Sequence, residues 1–392
     1  MTKANNQWIL IALFISVFTI GTSEYVIMGI LPVIATDLSI TIPTAGLLVT
    51  GYALGVAIGS PLVTAMTSQH SRKKLLVGLM IFFTLSNVMA ALSFSFGFLM
   101  TARILSSLIH GTFFAVATVV ASQTAPKDKQ GSAIATVAAG LTLSTVLGVP
   151  LGTFIGHAWG WQTTFWIVTA LGIAASLLLI LHIPSKIQFQ YQSLKSELGA
   201  FKNPQIILVL LVTIFGYGGV FASYTYIAPQ LETFAGFSAE AITTLLFIFG
   251  IGSFLGTITA GKLANRSLMP TLIMTLLLLT VILTLFTWTV HDKTLASVTV
   301  FIFGFTAFAT TPLLQTKIVQ TAKEAPTLAA AVNISAFNLA NAVGAYLGGE
   351  TIRAGFEMSS VNLTGAIITA IGLVFSIILL IYGKKLSKKQ DK

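Results

Sequence analysis

The chain contains no cysteine, which excludes disulfides, thiol nucleophiles and cysteine metal sites. Charge is scarce: only 8% of the 392 residues are charged, against about 25% in soluble domains. By contrast 55% are hydrophobic and mean hydropathy is +0.92, so the chain is read as an integral membrane protein. No glycine-rich loop ends in Gly-Lys-Ser/Thr, which excludes an ATP engine of that type. Neither His-Glu-x-x-His nor Gly-x-Ser-x-Gly occurs, so no familiar membrane hydrolase is expected, nor any enzyme, metal site or organic cofactor. The net charge of +10 and pI near 9.7 do not indicate a nucleic-acid partner, because the cations sit in short loops and form no basic face.

What is present is a series of apolar runs, each long enough to cross a bilayer, which takes roughly 20 apolar residues. They fall at 8–35, 44–67, 74–95, 98–122, 129–156, 161–183, 204–229, 239–264, 269–290, 295–318, 325–352 and 359–383, predicting an all-α protein of twelve spans. The first run is too long for a signal-peptide core and lacks a small-x-small cleavage site, so it is expected to be a retained helix. Alternate loops differ sharply in charge. One side collects 18 of the 21 Lys and Arg; the other holds Lys293 and Arg353, and Arg103 lies within a run. Positive residues stay in the cytoplasm, which predicts that both termini are cytoplasmic, in a bacterial inner membrane.

A polar linker at 184–203, carrying Lys186, Lys195, Glu197 and Lys202, separates residues 1–183 from 204–392 and predicts two six-helix bundles. The halves repeat. At an offset of 197, Gly21 falls on Gly218, Pro32 on Pro229, Gly55 on Gly252, Gly59 on Gly256 and Gly152 on Gly349. Parallel repeats of this kind belong to transporters with a midplane site between halves.

Glu24 is the residue around which the first half is organised. It lies mid-run, where a carboxylate is costly unless protonated, paired or wetted. Pro32, eight residues on, is expected to close the helix. In the fourth run Arg103 and His110 are seven apart and share a helix face. Arg103 is expected near the outer end, snorkelling or meeting a carboxylate. His110 is either a histidine bonded between helices or a group that exchanges protons or touches substrate. In the fifth run Gly148, Gly152 and Gly156 make a smooth stripe for close helix approach, and Pro150 bends the helix. Asn87 reads as an isolated structural polar group.

Basic loops follow the second and eighth runs: Arg72, Lys73 and Lys74, and Asn265 with Arg266, which could latch the cytoplasmic side. The plainer reading is a topology signal with lipid contact. The second half has no mid-membrane acid, Glu350 lying at the outer end of its run. It offers Tyr217, Phe221 and Tyr224 at helical spacing, the stripe Phe301, Phe305 and Phe308, and the amides Asn338 and Asn341. Core packing accounts for such stripes; the alternative is an aromatic-walled substrate cavity, to which Met28 and Phe114 of the first half would also contribute.

These residues together resemble the major facilitator superfamily, and within it the twelve-helix drug/proton antiporter branch, most closely the sugar-efflux (arabinose efflux permease-like) group. The match rests on Gly21-Thr-Ser-Glu24 running to Pro32, on Arg103 with His110-Gly111-x-Phe-Phe, on Gly148-x-Pro150-x-Gly152, and on Gly261-x-Leu-Ala-Asn265-Arg266. It departs from the family at Ser68 and Asn265, where acids are expected, at Gln69 and Ser71, and at Ser107 in place of glycine. The resemblance implies a monomeric, proton-coupled exporter of drugs, sugars or related metabolites, working by alternating access among membrane lipids, with Glu24, His110 and Arg103 in proton coupling. A proton-coupled importer and an uncoupled facilitator share the same helices and stay open. A non-transporting membrane protein on this scaffold would be expected to carry an added soluble domain.

Overall fold

The computed structural model describes residues 3–67, 70–126, 129–184, 203–322 and 326–390. The linker charges Lys186, Lys195, Glu197 and Lys202, the loop residues Ser68 and Gln69, and Lys127, Lys323 and Lys392 lie outside them. All regular structure among the described residues is helical: α1 Lys3–Asp37, α2 Ile42–Thr67, α3 Arg72–Ala91, α4 Phe96–Leu108, α5 His110–Thr124, α6 Gln130–Leu143, a π turn Ser144–Gly148, α7 Val149–Trp159, α8 Trp161–His182, α9 Pro204–Tyr224, α10 Ile227–Thr233, α11 Ala239–Thr289, α12 Lys293–Thr321, α13 Pro326–Arg353 and α14 Ser360–Gln390.

Eleven of these stretches are long and apolar enough to cross a membrane. The twelfth crossing is inside α11. Its 51 residues would reach about 76 Å as one helix, more than twice a hydrocarbon core of about 30 Å. The chain leaves helical geometry at Ser267, φ −158° and ψ 81°, and divides there into two spans. The expected break between the fifth and sixth spans falls at Gly160, whose φ of +86° suits a residue without a Cβ.

Two local expectations are corrected. Pro32 does not end α1, which continues to Asp37; a proline removes one backbone donor, and membrane helices tolerate that loss. Arg72, Lys73 and Lys74 are the first turn of α3, with Ser71 at its N-terminal boundary, and not a loop. The fourth span, Phe96–Thr124, runs as expected, with one loosened turn at Ile109, which keeps helical dihedrals, between α4 and α5. Ser60 of α2 takes up polar groups at that turn: its hydroxyl accepts from the Gly111 amide at 3.1 Å, and its carbonyl accepts from Thr112 Oγ1 at 3.0 Å.

The chain divides into two compact units, Met1–Gln190 with Ser238–Phe247, and Tyr191–Phe237 with Ile248–Lys392. In the first, α1 packs against α6, the π turn, α7 and α8, while α2 packs on α4 and α3 on α8. Its core gathers Val17, Ile20, Leu76, Phe83, Phe113 and Val137. In the second, α9 is the central helix, packed against α12, α13 and α14.

The sequence repeat reappears as packing within each unit. A Cβ on Gly55 would collide with the Ser107 side chain and lie 3.5 Å from the Ile104 carbonyl, and one on Gly59 would lie 2.5 Å from Leu108 Cδ2 and 3.1 Å from Leu108 Cα. Gly252 and Gly256 likewise meet the backbones of Phe301 and Phe305, which lie 197 residues beyond Ile104 and Leu108. The same glycine pair therefore lets the second and fourth spans of each unit approach closely, against the Ser107 and Leu108 side chains in the first unit and directly against backbone in the second.

Candidate functional site

The site forms around α1 because the neighbours of Ser23 and Glu24 come from four other helices. Glu24 is buried, 5% exposed, and its Oε2 has no hydrogen-bond partner among the described residues. His110, the first residue of α5, places Nδ1 3.5 Å from that oxygen. The same Nδ1 shares a hydrogen bond of 3.2 Å with the Tyr52 hydroxyl on α2. Tyr25 hydrogen-bonds to the Glu24 side chain.

Arg103 is placed differently from expectation. It is 1% exposed and does not snorkel, and among the described residues it forms no salt bridge with a carboxylate. Nη1 donates to the Ser23 carbonyl at 2.5 Å and Nη2 to the Glu24 carbonyl at 3.3 Å, and the guanidinium carbon stands 4.1 Å above the Tyr52 ring. A planar cation with a fork of donors suits two backbone carbonyls on one side and an aromatic face on the other. Its charge still acts on Glu24 through space. Asn87 of α3 is not isolated: its Oδ1 accepts from Ser23 Oγ at 2.9 Å and its Nδ2 donates to the Phe83 carbonyl at 2.8 Å. Residues 23 and 24 of α1 are thus held from both sides.

The structure brings Glu24, Arg103 and His110 together. Tyr52 and Ser23 belong to the same constellation, and neither stood out in the sequence. A tyrosine in an apolar span carries no signal beyond composition, and its partner lies 58 residues away. Met28 is fully buried, and Phe114 packs against the apolar core of the first unit. The stripe at Gly148, Gly152 and Gly156 faces α1, where added Cβ atoms would collide with Thr22, Val26 and Ile30. Pro150 lies in the first turn of α7, directly after the π turn. A wider turn relieves the clash between a proline ring and the preceding carbonyls.

In the second unit, Tyr217, Phe221 and Tyr224 form a contiguous aromatic cluster. Tyr217 meets Phe337 edge-on at 5.0 Å, and Tyr224 stacks on Phe249 at 4.3 Å. Phe308 joins the cluster, contacting Tyr217 and Phe249. Phe305 contributes its backbone to the glycine contact described above. Among the described residues Asn338 donates only to the Ile334 carbonyl of its own helix. Its Oδ1, the Asn341 Oδ1 and the Tyr224 hydroxyl are buried without hydrogen-bond partners among the described residues. Other buried amides are satisfied: Asn362 bonds Ser223 and Gln230, and Asn333 bonds Thr213 and Gln315. Asn265 and Arg266 are exposed immediately before the Ser267 break, and Glu350 pairs with Arg353 at the end of α13.

The profile described as Major Facilitator Superfamily matches residues 13–348. The chain is 41% identical over 365 residues to a protein of Escherichia coli O157:H7 named inner membrane transport protein YdhP, covering 93% of this chain and 94% of the relative. It is 33% identical over 349 residues to a chloramphenicol resistance protein of Streptomyces lividans, covering 87% and 88%. Among solved structures, a D-xylose–proton symporter superposes with a TM-score of 0.78 at 15% identity, covering 95% of this chain and 96% of that one, a likeness of fold.

Proposed function

The chain belongs to the major facilitator superfamily, and from that premise, a multi-pass membrane transporter of small molecules, we propose that it exports its substrate in exchange for protons, with Glu24 as the proton site. The observation that carries this reading is the environment of the Glu24 carboxyl. It is buried, one oxygen lacks a hydrogen-bond partner, and the nearby cation is engaged by backbone carbonyls and a tyrosine ring. A carboxyl locked in an ion pair would have no reason to change its ionisation. This one sits beside an imidazole nitrogen and can gain or lose a proton locally.

In the proposed cycle Glu24 takes a proton from the outside, crosses in neutral form, and releases it inside as substrate binds. The loaded form then opens outward. Voltage supplies about 2.3 kcal/mol per charge per 100 mV. The chain works as a monomer in the inner membrane with both termini in the cytoplasm, as the asymmetry of Lys and Arg supports. The substrate has an apolar face for the ring cluster of the second unit and donors for the unpartnered oxygens of Asn338 and Asn341. The name of the Streptomyces relative makes chloramphenicol the first probe.

The test uses purified protein in liposomes with an imposed pH gradient. Wild type drives chloramphenicol uphill against a proton flux. Glu24→Gln binds it but does not couple it to pH, and uphill movement by that variant refutes the assignment.

A further inference from the structure

His110 Nδ1 has two neighbours and can satisfy only one. A ring nitrogen carries either a lone pair or a proton in the ring plane, so it accepts from one group or donates to one group. The Tyr52 hydroxyl lies at 3.2 Å in hydrogen-bonding geometry. The Glu24 Oε2 lies at 3.5 Å without a hydrogen bond. The ring of Tyr52 is held by Arg103, 4.1 Å from its centroid, and Arg103 is itself held on the carbonyls of residues 23 and 24. The hydroxyl is therefore fixed against the imidazole by the same cation that braces the helix carrying the acid.

We propose that Tyr52 is a positioning residue that decides whether the proton rests on Glu24 or on His110. The inference rests on the reading of Glu24 as the proton site. When the Tyr52 hydroxyl donates to Nδ1, that nitrogen is occupied as an acceptor, the imidazole is neutral with its hydrogen on Nε2, and the proton stays on the carboxyl. When the hydroxyl turns away, the carboxyl O–H bond breaks and an Nδ1–H bond forms. The resulting imidazolium then faces the carboxylate. Atoms and charge balance within the pair, and no other reactant is needed. The titratable and charged groups around the pair are Glu24 and Tyr25 on α1, Tyr52 on α2, Arg103 on α4 and His110 on α5. The group that α3 brings to this stretch of α1, Asn87, is neutral.

The test is nitrogen NMR of histidine-labelled full-length protein in nanodiscs, with the His110 signals assigned by their loss in His110→Gln. Wild type at neutral pH is expected to show an unprotonated Nδ1 and a protonated Nε2. Tyr52→Phe keeps the ring under Arg103 and removes only the hydroxyl. It is expected to raise the protonated fraction of Nδ1 about tenfold, the equivalent of ~1.4 kcal/mol, and to alter the pH profile of chloramphenicol-driven proton release. A Tyr52→Phe protein with the wild-type His110 spectrum overturns the proposal. If that variant does not fold, a protonated Nδ1 in wild type at neutral pH overturns it equally. Uphill transport by Glu24→Gln strikes at the proton-site assignment alone, so the two failures are distinguishable.

Discussion

Replacing Arg103 separates charge from geometry. Lysine keeps the positive charge near Glu24 but not the planar fork. The wild-type side chain makes bonds of 2.5 and 3.3 Å to the carbonyls of Ser23 and Glu24 and stacks 4.1 Å from the Tyr52 ring centre. Hydrogen bonds from a charged donor contribute about 1.5–3 kcal/mol each, and a desolvated cation–π contact about 2 kcal/mol. A lysine ammonium can keep one carbonyl and part of the ring contact, so Arg103→Lys is expected to cost about 2–4 kcal/mol. Arg103→Gln removes the charge as well and is expected to cost about 3–5 kcal/mol. Unfolding of purified protein in mixed micelles, followed by tryptophan fluorescence, gives both values. Were Arg103 only a counter-charge for the acid, Arg103→Lys would match wild type within about 0.5 kcal/mol. That result would refute the bracing role assigned to the carbonyl and ring contacts.

Gly152→Val is expected to abolish stable insertion, because even a Cβ there would lie 2.5 Å from Val26 Cγ2; surface expression against a Gly131→Val control, where space is open, checks this. Gly55→Val and Gly252→Val occupy repeat-related positions, and Gly252→Val, which meets the Phe301 and Phe305 backbone where Gly55→Val meets the Ser107 side chain, is expected to lower the melting temperature more, which a paired thermal scan measures. Asn362→Leu strands the buried groups of Ser223 and Gln230, and a loss of about 2–4 kcal/mol is expected in the same micelle titration.

Much of the fold was legible because membranes impose a simple rule: backbone donors must be paired internally and side chains facing hydrocarbon must be apolar. Twelve runs and their punctuation, including Gly160, follow from that rule alone. The glycine repeat was legible because close helix approach requires the smallest residue. The site was legible where burial makes a residue costly, as for Glu24, Arg103 and His110. It was not legible where the group is cheap to bury. Tyr52 and Ser23 draw their significance from partners on other helices. The misplacement of Arg103 has the same origin: linear position suggested an outer end, while carbonyls of α1, invisible in a pattern of side chains, made an interior location affordable. The loosened turn at Ile109 had no sequence signal because the group that takes up its amide, the Ser60 hydroxyl, lies on α2.

The fifth span carries small residues at 140, 144, 148, 152 and 156, and those positions meet α1 along its length, from Phe14 and Phe18 to Gly21, Thr22, Val26 and Ile30. A step of four overshoots a 3.6-residue turn by about 40°, so across the four steps an unmodified helix would rotate the last glycine by about 160° away from its neighbour. The wide turn at Ser144–Gly148 absorbs part of that rotation, and a right-handed crossing can absorb the rest. Phase, as well as bulk, is therefore under constraint in this segment. Deleting one residue from the wide turn would let it close to an α turn with its flanks still in phase, whereas deleting one from α7 between Gly152 and Gly156 would add no atom yet swing Gly156 by about 100° and present a larger side chain to α1. Gaps in length should be as poorly tolerated there as a valine, while the same deletion in an exposed connection would pass unnoticed.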